Sequence, residues 1–175
     1  MPRARGHNGG MTFLPEALYT EIEHSMPIAC VDFVLVPPTR KAGAEQQVGL
    51  ILRHSPYGEV WCHLGGRIQR GETLADALRR HARETLQIDI VLPLEPQPVD
   101  VFQWFPADIA PADGTPYGDD ARKHAIGLSF IVEHEGAATP QGEALDFAYF
   151  PLDDPPEPLW PGCGRLLRRL FSAGQ

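Results

Sequence analysis

Three cysteines in 175 residues, no long apolar run and no excess of positive charge are what this chain goes without. Cys30, Cys62 and Cys163 are odd in number and lack metal-binding spacing, which argues against a disulfide framework or a zinc site. Cys30 and Cys62 fall in apolar, strand-like runs and read as buried thiols. No apolar stretch approaches the roughly 20 residues that a membrane-spanning helix needs. Residues 1–10 carry Arg3, Arg5 and Gly9-Gly10 without the apolar centre of a signal peptide. Residues 1–12 are therefore expected to be a disordered N-terminal segment, with residues 13–175 forming one cytoplasmic domain. Lys and Arg total 15 against 23 Asp and Glu, a net charge of −8. That balance excludes broad nucleic-acid binding, which needs a basic face. It leaves room for a small basic pocket on an acidic surface.

What is present is the composition of an ordinary globule, 43% apolar and 22% charged. Pro15–His24 reads as a short helix with proline in its first turn. Ile28–Val36 is apolar except for Asp32 and reads as a strand that Pro37-Pro38 ends. Thr39–Gln47 reads as a loop, Val48–Arg53 and Val60–Leu64 as strands, and Ser55–Gly58 as the turn between them. In Glu72–Leu86, Leu74, Leu78, Ala82 and Leu86 recur four apart, predicting an amphipathic helix with Asp76 and Arg80 paired on its exposed side. Strands are predicted at Ile88–Leu92, Val99–Phe105, Ala125–Val132 and Phe147–Pro151. Pro106–Arg122 reads as a long loop, the kind that is often functional. Leu159–Phe171 reads as a terminal amphipathic helix. Strands on either side of a central helix imply a mixed α/β sandwich.

The densest signal lies in residues 65–88. Gly65-Gly66 forms a turn, Glu72 follows, and Arg80 opens a charged helical turn that runs through His81, Ala82, Glu84 and Thr85 to Ile88. Residues 81, 84 and 85 are related by three and four positions, so one helix face presents an imidazole, a carboxylate and a hydroxyl. Arg67, directly after the glycines, would point toward a phosphate. His81 is a poor Mg²⁺ ligand and suits softer ions such as Mn²⁺.

This segment resembles the Nudix box, G-x5-E-x7-R-E-U-x-E-E-x-G-U, where U is aliphatic. Gly66, Glu72, Arg80, Ala82, Glu84 and Ile88 fit it, whereas His81, Thr85 and Gln87 stand where Glu, Glu and Gly are usual. The resemblance implies a Nudix-type α/β/α sandwich with a mixed sheet, and hydrolysis of a nucleoside diphosphate linked to another moiety. It also implies that Glu72 pairs with Arg80 and ties loop to helix. Typical members hold two or three metals on three glutamates, and one glutamate cannot hold such a cluster. Flanking residues (Phe13-Leu14, Met26-Pro27-Ile28, Val31–Val34 and Gly65–Arg70 followed by Glu72-Thr73-Leu74) are similar to the GDP-mannose mannosyl hydrolase branch, which binds one Mg²⁺ and cleaves at the sugar carbon.

Carried over residue by residue, the resemblance implies substrate contacts from Asp32, Arg53, Arg67 and Arg80. It implies a metal site at the Gly65 carbonyl, to which Glu84 and Glu143 could add carboxylates. Arg67, Glu84 and Glu143 are then the candidate catalytic groups, with Mg²⁺, or Mn²⁺, as the cofactor. The branch's habit of pairing through its sheet implies a homodimer. Thr85 replaces the glutamate that the branch keeps, and its catalytic histidine falls at Ala144. A second reading therefore stays open, that of a Nudix-fold protein that binds nucleotides or regulates without catalysis.

Overall fold

A computed structural model describes residues 14–37 and 45–172. The N-terminal segment at 1–12 and most of the predicted 39–47 loop lie outside the described residues. The elements in chain order are α1 (Glu16–Ser25), β1 (Ile28–Val36), β2 (Gln47–Ser55), β3 (Gly58–Cys62), β4 (Leu64–Arg67), α2 (Leu74–Leu86), β5 (Asp89–Val91), β6 (Asp100–Phe105), β7 (Gly118–Asp119), β8 (Ala125–Glu135), β9 (Asp146–Pro151) and α3 (Cys163–Ser172).

The sheet runs β3-β2-β1-β8-β6-β7, with β4 on β1, β5 on β8 and β9 on β2. It is mixed: β1 and β8 are parallel over nine registered pairs, and β8 is antiparallel to β6. Helix α2 packs on β4, β5 and β1, and α3 on β6, β7 and β8, giving the expected α/β/α arrangement. β1 explains its own sequence. Every residue from Cys30 to Val36 is buried, as in a parallel strand covered on both faces. One edge of β1 is shared, with Cys30–Phe33 pairing with Arg67–Leu64 of β4 and Leu35 pairing with Gly49 of β2. The sheet divides at that point, and side chains from β1, β2, β3 and β4 converge beside the split.

Several boundaries differ from the sequence expectation, each for a local reason. α2 starts at Leu74, so Glu72 is outside it. Thr73 caps the helix by accepting from the Asp76 backbone, and the Asp76 carboxylate accepts from Thr73 in return. This capping box occupies Asp76, and Arg80 pairs elsewhere. Gln87 closes the helix in the left-handed region at φ 55, where glycine is the common solution. Its side-chain amide donates to Gln141 Oε1 at 2.7 Å. The predicted third strand is two strands, β3 and β4, broken at His63. Two residues of the 106–122 loop pair with β6 as β7. α3 begins at Cys163, because Pro161 and Gly162 separate it from Trp160, whose backbone bonds to Trp61 instead. All three cysteines are buried and free. Among the described residues, no helix is long and apolar enough to cross a membrane.

Candidate functional site

Helix α2 and the Gly65–Glu72 segment are joined by one arginine. Arg80 donates through Nε to Glu72 Oε1 at 2.6 Å and through Nη2 to Glu72 Oε2 at 2.9 Å. Nη2 also reaches the Arg67 carbonyl at 3.0 Å, and Nη1 reaches Glu84 Oε2 at 3.3 Å. Glu72 accepts from the Gln69 backbone at 2.8 Å, so turn and helix are locked together. The Arg80 hydrogen bond, with the one from Gln69, holds the Glu72 carboxyl below its ordinary value of 4.5. Such a group stabilises the fold while ionised. The contribution is complete above 4.5 and is lost as pH falls through the lowered value. Glu72→Gln should cost about 2 kcal/mol at pH 7, and the gap between the two proteins should close in acid, as urea melts between pH 7 and pH 2 would show.

The glycine turn is shaped by what lies around it. A Cβ at Gly66 would meet His81 Cε1 at 2.7 Å. His81 packs there, with Nε2 at 3.3 Å from the Arg67 carbonyl. Burial, and then the Arg80 charge, lower its pKa, and the ring supports the turn. Thr85 is buried at 2% exposure, and its carbonyl accepts from the Gln141 backbone. Ala144 is buried as well.

A cavity of about 410 Å³ opens beside this turn. Asp32, Arg53, Gly65, Arg67, Arg80, Glu84 and Glu143, distant in sequence, all line it. Arg53 Nη1 lies 2.8 Å from Glu143 Oε2, while its buried Nε has no hydrogen-bond partner among the described residues. The Arg67 guanidinium lies over the Tyr19 ring of α1, 4.3 Å from its centroid.

Residues that no motif marks complete the cavity. Arg122 and Lys123, just ahead of β8, add cations. Asp120 holds Arg122 at 2.8 and 2.9 Å, and Arg122 and Arg53 lie over Trp160, 5.1 and 5.6 Å from its centroid. Lys123 Nζ sits 3.8 Å from Glu23 and donates to the Tyr19 hydroxyl at 3.5 Å. His63 and Trp104 form the floor with Asp32. Burial pulls the His63 imidazolium down, but the facing Asp32 carboxylate outweighs it and pushes the pKa up to about 10. His124 stacks on Phe105 at 4.1 Å and is not among the cavity-lining residues.

Among the described residues, no three His, Cys, Asp or Glu side chains come together as a metal cage. A cluster of two or three ions therefore does not fit. Glu84, Glu143 and Gly65 line the same cavity, and a single hard divalent ion would ask of them only oxygen ligands beside its retained waters.

Solved structures similar to this chain show which fold it has. One from Jonesia denitrificans, described as a possible asymmetric diadenosine tetraphosphate hydrolase, has 29% identity and a TM-score of 0.71, with 85% of this chain and 95% of that one covered. A MutT NUDIX hydrolase from Burkholderia pseudomallei has 19% identity and a TM-score of 0.62, covering 83% and 98%. The NUDIX domain of Shewanella oneidensis NrtR, solved with ADP ribose, has 18% identity and a TM-score of 0.57, covering 91% and 98%. The fold is that of the Nudix hydrolases. Residues 10–159 match the family described as Domain of unknown function (DUF4916), and the chain belongs to it. No curated protein matches the chain.

Proposed function

We propose that this protein hydrolyses a nucleoside diphosphate linked to another group, a nucleotide sugar such as GDP-mannose. The observation that carries this reading is the convergence of Arg53, Arg67 and Arg80 with Glu84 and Glu143 on one cavity. A diphosphate needs charge neutralisation before anything else. Arg53, Arg67 and Arg80 supply it, with Arg122 and Lys123 on the same cavity. A phosphate oxygen would satisfy the buried Arg53 Nε, whose unpaired state is costly. Gly65, Glu84 and Glu143 would hold one Mg²⁺, whose charge offsets that of the diphosphate. Asp32 at the floor would hydrogen-bond the group beyond the phosphates.

One observation favours a second reading, a module that binds without cleaving: both rim carboxylates are engaged by arginines. A single experiment separates the two. The protein is incubated with a nucleotide-sugar panel and Mg²⁺ or Mn²⁺ in ¹⁸O-water. Turnover is expected, with label in phosphate if water attacks phosphorus and in the free sugar if it attacks carbon. Calorimetric binding of a nucleotide sugar with no product after long incubation would overturn the hydrolase and leave the binding module.

A further inference from the structure

The cavity floor holds a carboxylate gripped from two sides. Asp32 is 5% exposed. Its Oδ2 accepts from Trp104 Nε1 at 2.9 Å, and its Oδ1 faces His63 Nε2 at 3.5 Å. The His63 ring lies on the Trp104 ring at 5.0 Å and 22°. The sheet makes room for this group with two glycines. A Cβ at Gly127 would come within 2.0 Å of Asp32 Oδ2, and one at Gly118 within 2.1 Å of Trp104 Cε3. A core in need of filling has no use for a buried carboxylate and imidazole, since such a pair is often no better for stability than apolar residues of equal volume. The cluster also opens onto the cavity, which His63, Trp104 and Asp32 all line.

We propose that His63 is a positioning residue, which with Trp104 fixes the Asp32 carboxylate in the one orientation that meets the substrate. The inference rests on the hydrolase reading above and deepens it. His63 acts through Asp32, because both of its nitrogens are turned to protein: Nε2 to Asp32, and Nδ1 to the buried Cys163 Sγ at 4.0 Å. With Trp104 alone, the carboxylate would be held by one oxygen and free to rotate about that bond. The second grip makes the floor rigid, and a site held to fractions of an ångström depends on such support.

The test compares His63→Asn, His63→Gln, Asp32→Asn and the His63→Asn/Asp32→Asn double variant. A Gln side chain carries its nitrogen about where Nε2 stands, and Asn carries it about where Nδ1 stands. His63→Asn should lower kcat about 10-fold, and His63→Gln should regain most of that loss. The double variant should be no slower than Asp32→Asn alone, because residues acting as a unit are non-additive. Nucleoside diphosphate affinity by calorimetry should stay within about twofold in the two His63 single variants, because both nitrogens of His63 are turned to protein. Multiplying losses, equal damage from Asn and Gln, or a matching loss of nucleoside diphosphate affinity would each overturn the proposal. If the unaltered protein turns over nothing, the hydrolase reading fails by itself. The positioning is then read from solvent exchange of the Trp104 indole N–H, expected to be about 10-fold faster in His63→Asn than in His63→Gln. Equal exchange rates overturn it.

Discussion

Replacing Glu84 with glutamine should lower turnover of the nucleotide sugar by about 10²-fold or more, with little change in folding stability. The two halves of that expectation have separate causes. Among positions 81, 84 and 85 of α2, Glu84 is the one carboxylate, beside His81 and Thr85, and the proposed metal site depends on it. With one carboxylate gone, the Gly65 carbonyl and Glu143 are too few to hold a hard cation that competes with its own water shell. The fold, in contrast, asks little of Glu84. Its side chain is 48% exposed, and its contact with Arg80 is a 3.3 Å pair across one helical turn. Such pairs contribute a few tenths of a kcal/mol, and glutamine keeps an oxygen there to accept from Arg80. Steady-state rates and thermal melts of both proteins check the two halves together. An unchanged rate removes Glu84 from the metal site. A collapse of the melting temperature would mean that Glu84 has a structural role that the geometry does not show.

How far the sequence discloses the molecule depends on how local each signal is. β1 could be read to the residue because it is buried on both faces, and its run of apolar residues says so without help from the rest of the chain. The apolar stripe of α2 was equally plain, yet its start was not, since the capping box of Thr73 and Asp76 competes with a helix drawn back to Glu72. Asp76 and Arg80 have the spacing of an exposed pair, but Arg80 turns inward to Glu72, eight residues back and across a loop. Only the resemblance pointed there. β7 escaped notice because a two-residue strand in a proline-rich stretch has no period to detect.

The site divides along the same line. Chemistry or resemblance marks Asp32, Arg53, Arg67, Arg80, Glu84 and Glu143 in the sequence, and the fold gathers them on one cavity. His63 carries no mark in the sequence, because it sits between two short strands with no motif around it. Its partner Asp32 is 31 positions earlier, brought close by the pairing of β4 with β1. Arg122 and Lys123 looked like the end of a polar loop, and Trp160 like the first turn of a helix. In each case the missing information is a contact between distant segments, which neither composition nor periodicity encodes.

The glycine at position 65 binds fold and site most tightly, and Gly65→Ala should destabilise the protein by about 3 kcal/mol or more. Two costs combine at this residue. Its φ of +136 lies where a side chain is strained, and a Cβ would stand 2.1 Å from the Val31 carbonyl oxygen and 2.9 Å from Asp32 Cα. The obstruction is backbone of a strand buried on both faces, so no side chain can swing aside to relieve it. β4 must instead lift from β1 at the Asp32–Gly65 pair. That movement shifts Gly65 within the cavity lining and loosens the floor at Asp32. The variant should therefore lose turnover even under conditions where it remains folded, whereas an alanine at Gly58, where a Cβ meets nothing within 4 Å, should pay only the strain of its positive φ. Chemical denaturation of the two variants, with kcat measured well below each midpoint, tests both parts. If Gly65→Ala melts like Gly58→Ala and keeps its rate, the close approach of β4 to β1 does not set the geometry of the cavity.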